Sequence, residues 1–92
     1  MKAVERGSLV VVYWWDISED SSWQPITAIE EEHKSPLCKS VGWFLSENEM
    51  CIKILNCISG TDDTKIEASS SVIPKAVIRN VELIREDELD TE

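Results

Sequence analysis

Histidine is almost missing from this chain: His33 is the only one among 92 residues. Ser–His–acid chemistry would have to run through it, and it falls late in a predicted helix, where a favourable contact with the helix C-terminal dipole accounts for it. Glycine is scarce too, and Gly7, Gly42 and Gly60 are too scattered to form a phosphate-cradling loop. The three cysteines, Cys38, Cys51 and Cys57, make no Cys-x-x-Cys pair, so with one histidine no metal site is expected. Their odd number suits buried thiols in a reducing compartment. The longest apolar run, residues 9–15, is far below the ~20 residues a spanning helix needs, and the first residues lack a charged-then-apolar leader pattern. A cytoplasmic setting with no membrane partner is the expectation.

Positive charge is also in short supply. Nine bases stand against 18 acids, a formal net charge of −9. Long nucleic acid is bound mainly by neutralising phosphates with Lys and Arg, so that partner is not expected. The excess is uneven: residues 86–92, EDELDTE, hold five acids and no base, which leaves −4 for the rest. These residues read as a solvated C-terminal tail after a single domain over residues 1–85. Glu30, Glu31 and Glu32 are consecutive and splay around a helix, and Asp62 and Asp63 sit in a loop without a partner. No constellation for an enzyme emerges, and no cofactor is implied.

Large aromatic and β-branched residues are what the chain does have. Residues 8–17, SLVVVYWWDI, predict a strand. Successive side chains of a strand point to opposite faces, so Trp14 and Trp15 cannot fill one core. Neither face is polar before Asp16, which predicts cover on both sides. Ser21 and Gln24 fit a capping box, and Pro25 falls in a first turn, predicting a helix over residues 22–34 with a Glu30–Lys34 pair, ended at Ser35-Pro36.

Strands follow over residues 38–46, with Val41, Trp43 and Leu45 on one face and Gly42 marking a bend or bulge. Residues 50–58 put Met50, Ile52, Ile54 and Ile58 on one face and Cys51, Lys53, Leu55 and Cys57 on the other. A weaker strand covers residues 65–73. A short helical turn over residues 75–78 precedes a fifth strand at residues 80–85. The expected fold is mainly β: a small, strongly bent five-stranded barrel with one helix between strands 1 and 2. The turn before the last strand looks like that of SH3-like and Sm-like barrels, a scaffold that leaves function open.

Four tryptophans in so small a chain serve either as core filler or as a stacking platform. Trp15, Trp23 and Trp43 are the candidates to stack on a ligand, and Ser40 to donate a hydrogen bond. Lys75 and Arg79, on either side of the turn before the last strand, could meet a phosphate, although solvated surface charges are the plainer reading of both. Trp14 and Tyr13 are candidates for a partner interface.

The order WWD…SSW, SVGWFL and VIPKAVI…VELI, matching at Trp15-Asp16, Trp23, Ser40 to Leu45 and Ile73 to Lys75, resembles a widespread group of small bacteriophage-encoded proteins. Some phage proteins of this size are immune-evasion sponges, among them anti-CBASS proteins, which bind cyclic oligonucleotide signals and withhold them without chemistry. The resemblance implies a homo-oligomeric, non-enzymatic binder of a cyclic nucleotide in an infected bacterial cell. A two-fold ligand fits naturally across a two-fold interface. Two other readings stay open: an acidic module that engages a basic host protein, as a DNA mimic would, and a structural or accessory phage barrel.

Overall fold

A computed structural model describes residues 4–17, 19, 21–32, 35–60 and 66–86. The chain folds into β1 (Leu9–Trp15), α1 (Ile26–Glu32), β2 (Leu37–Glu47), β3 (Cys51–Ser59), β4 (Glu67–Pro74), a 3-10 turn at Lys75–Val77 and β5 (Ile78–Arg85). All five strands lie in one antiparallel sheet in the order β4-β3-β2-β1-β5. The mainly β expectation, with five strands and one helix after the first, matches. The barrel is an open one: β4 and β5 are the two edges of the sheet, and no ladder joins them.

β2 makes the sheet bend. Its residues 37–43 pair with β1, whereas residues 43–47 pair with β3, with a register shift between Phe44 and Ser46. Gly42 lies at this handover and is buried. A Cβ built there would come within 2.5 Å of the Leu55 backbone oxygen in β3. No real Cβ fits at that distance, so glycine is what allows the two strands to approach. The bend or bulge expected at Gly42 is therefore present, as close approach of backbones and not as an unusual backbone angle.

The core occupies the concave face. Val10 and Val12 of β1, Phe44 of β2, Ile52 and Ile54 of β3 and Ile73 of β4 are buried together, with Val4, Trp14, Val77, Ile78 and Val81 packed around them. In β2 the alternation read from Val41, Trp43 and Leu45 exists, but the opposite set, Gly42 and Phe44, enters the core. Val41 is exposed and Trp43 half-buried. Ile52 and Ile54 share the core face as predicted, whereas Met50 precedes the strand and stays exposed, and a register shift between Leu55 and Cys57 interrupts the alternation before Ile58. The outer side of β1 is more open than expected: Leu9, Val11 and Tyr13 are only half-buried.

The helix is shorter than predicted at its start. Pro25 disfavours a helical conformation at Gln24, so α1 begins at Ile26, with the Pro25 carbonyl accepting from the amides of Ala28 and Ile29. Ser21 is then too far upstream to cap it, and Gln24 Nε2 donates instead to Ser22 Oγ at 3.1 Å. The Lys34 half of the expected pair, His33, the loop acids Asp62 and Asp63, and residues 87–92 of the acidic tail lie outside the described residues. No described helix is long and apolar enough to cross a membrane.

Candidate functional site

Alternation along β1 decides which tryptophan goes inside. Trp14 is in phase with Val10 and Val12, so its indole joins the concave face, and Trp15 is left outside, 44% exposed. Trp14 is opposite Cys38 in β2 and Ile78 in β5. Its Nε1–H donates to Ser40 Oγ at 2.9 Å. That bond satisfies the one polar atom of a half-buried indole and fixes the ring.

The fixed ring forms one wall of a groove. Ser40, Ser71, Val72, Ile73 and Pro74 complete the lining around a volume of about 300 Å3. The groove follows from the open sheet, because the end of β4 curls toward β1 without pairing to it. Ser71 Oγ accepts from Asn56 Nδ2 at 3.0 Å. The lining therefore offers an aromatic ring, aliphatic walls and two hydroxyls that are already held in place. Such a surface suits a flat, partly polar ring better than a charged group.

The predicted ligand residues do not converge within one chain. Ser40 is in the groove, bonded to Trp14. Lys75 follows Pro74 of the groove wall, and its Nζ is paired with Glu47 Oε1 at 2.6 Å. Trp15 and Trp43 both point outward, but they oppose Leu37 and Leu9 at opposite ends of the β1–β2 ladder, roughly 20 Å apart along the strand. Trp23 precedes α1 and is 101% exposed.

Arg79, exposed at the register shift of β5, acts electrostatically on Tyr13. Tyr13 is also on the outer face. Its hydroxyl donates to Glu82 Oε1 at 2.7 Å, and Lys39 Nζ sits 6.0 Å from the ring centre. The hydrogen bond to Glu82 holds the phenol above its ordinary pKa, with smaller contributions in the same direction from burial and from the Glu82 charge, while Arg79 opposes them.

Sequence reasoning named Trp14 for an interface and missed the groove it lines. The alternating Val10, Val12, Trp14 series carried the signal for the inward face. Nothing in the sequence announced that residues 71–74 would stop short of β1. Among the described residues, no three His, Cys, Asp or Glu side chains are placed to hold a metal ion. No family model matches the chain, and neither does any curated protein or solved structure.

Proposed function

We propose that the protein is a non-enzymatic binder that sequesters a small cyclic nucleotide, as a phage immune-evasion sponge does, with one base in the groove beside Trp14. The observation that carries this reading is the indole fixed by Ser40 in the wall of a groove of about 300 Å3. That volume is at the low end for ligand sites and suits one ring system. Stacking contributes about 1–3 kcal/mol per base, and a ring already held in place avoids much of the ordering cost. A cyclic dinucleotide has two bases and needs two such grooves, which two copies of this chain supply. Trp15, Trp23 and Trp43 are too dispersed to clamp one ligand within a chain, so their contribution to stacking would come across copies. Phosphate binding by Lys75 requires the ligand to displace Glu47, and Arg79, on the outer face beside Tyr13, would contribute only across copies.

The test is a thermal-shift panel of cyclic dinucleotides and trinucleotides, followed by mass spectrometry of the ligand released on heating. A rise of several degrees with one member, intact ligand afterwards, and a smaller rise for Ser71→Val support sequestration. No shift with any member overturns it. A shift with cleaved ligand would make the protein an enzyme.

An acidic protein-interaction module is the second reading. Exposed Trp23, Ile17 and Ile26, set among acids, favour it.

A further inference from the structure

The two hydroxyls that line the groove are already used on one side. An indole N–H can only donate, so Ser40 Oγ is the acceptor of the 2.9 Å bond from Trp14 Nε1. A serine hydroxyl has one proton to give and two lone pairs. Trp14 occupies one lone pair of Ser40, and none of the described residues accepts its proton. Ser71 Oγ likewise accepts from Asn56 Nδ2 at 3.0 Å, while its return bond to Asn56 Oδ1 is 3.4 Å long. A bond of that length is weak, and an acceptor on a ligand at about 2.8 Å wins the proton.

The rest of the lining does not offset this bias. Val72, Ile73 and Pro74 bring no side-chain acceptor, and no carboxylate lines the groove. Strand carbonyls lie in the plane of a sheet and not on its face. The groove thus meets a ring chiefly with O–H donors. Bases differ in what they show to donors. On the edge that faces the major groove of a duplex, guanine has two neighbouring acceptors, O6 and N7, and uracil has O4. Adenine carries an amino donor in place of O6, and cytosine one in place of O4.

We infer that the groove selects keto bases, guanine or uracil, over amino bases, adenine or cytosine. Ser40 and Ser71 donate to the carbonyl edge while the ring lies against Trp14. Trp14 is also a positioning residue here: by filling a lone pair of Ser40 it leaves the hydroxyl as a donor toward the ligand. An amino edge would leave that proton unmatched, and a site built for one hydrogen-bond pattern rejects the other. This inference rests on the groove being a nucleotide site.

Titration calorimetry on the full chain tests it with five probes: cyclic di-GMP, di-IMP, di-AMP, di-UMP and di-CMP. Hypoxanthine keeps O6 and N7 but lacks the 2-amino group, so di-IMP isolates the carbonyl edge. Di-GMP and di-IMP should bind more tightly than di-AMP, and di-UMP than di-CMP, by about tenfold or more. Ser40→Ala should lose most of that preference, and Ser40→Thr, which keeps the hydroxyl, should retain it. Trp14→Phe keeps a stacking ring but removes the N–H. Ser40 can then accept, and the preference should narrow through tighter binding of the amino bases. Each variant is read as a ratio between probes, so a general loss of affinity cancels. An equal or reversed preference overturns the inference and leaves sequestration standing. So does a keto preference that survives both Ser40→Ala and Trp14→Phe. Binding of none of the five also overturns it, while the wider thermal-shift panel decides sequestration by itself.

Discussion

Gly42 is a position at which the fold admits no side chain. Its neighbours in β3 leave no room for a methyl group, with the Leu55 oxygen at 2.5 Å and Ile54 Cδ1 at 3.2 Å from a built Cβ. Backbone cannot swing aside as a flexible side chain can, so β2 and β3 must separate. Gly42→Ala should destabilise by about 2–3 kcal/mol, measured by urea unfolding, and a stability equal to wild type would show that the strands are less tightly apposed. Tyr13 gives a different kind of test. The bond to Glu82 favours the protonated phenol in the folded chain, so its contribution is present below the ordinary pKa of 10.0 and is lost as pH rises through the higher folded value. Phenolate absorbance should titrate later than in a free tyrosine, and Glu82→Gln should bring the midpoint down. At this scale the sequence was partly legible. It required Trp14 and Trp15 to face apart, and they do; which one faces in depended on how the whole of β1 aligned its β-branched residues. The Trp14–Ser40 bond was not legible, since it depends on the register that sets Trp14 opposite Cys38.

Among the elements, the excursion between β1 and β2 is dispensable to the sheet. The ladder ends at Trp15 opposite Leu37, and the Asp16 amide still donates to the Pro36 carbonyl at 2.9 Å. The chain is therefore closed at its base, and a two-residue hairpin turn can replace what lies beyond. Substituting Asn-Gly for residues 17–35, with Pro36→Thr to supply the missing amide, should leave the circular dichroism of the sheet intact. Shortening the loop favours folding by up to about 2 kcal/mol of closure entropy. A chain that fails to fold would mean the excursion contributes to the core. Element positions were largely legible, because period-two runs of Val, Ile and Trp leave little choice of strand. The start of α1 was not, since a capping pattern and Pro25 competed and the restriction that proline places on Gln24 prevailed. Nor was the length of β2: one strand serving two partners reads, residue by residue, like any other strand.

At the scale of the molecule, the core is small for its chain. Among the described residues, seven apolar side chains are buried, whereas eleven large ones remain more than a third exposed. A domain this size buries only about 60–65% of its unfolded surface and is correspondingly marginal alone. Association is the remedy that the exposed set invites, and it leaves a thermodynamic signature that requires no ligand. A folded dimer that melts to two unfolded chains gains stability with concentration, by about 1.4 kcal/mol per dimer for each tenfold rise, or half that per chain. For a domain of this size that amounts to about 3–5 °C in the midpoint per decade. Calorimetry of the full chain at 10 and 100 µM should show that rise, and the chain with Asn-Gly in place of residues 17–35 should show a smaller one. A midpoint that does not move with concentration would mean that the lone sheet, with its indoles in water, is stable by itself.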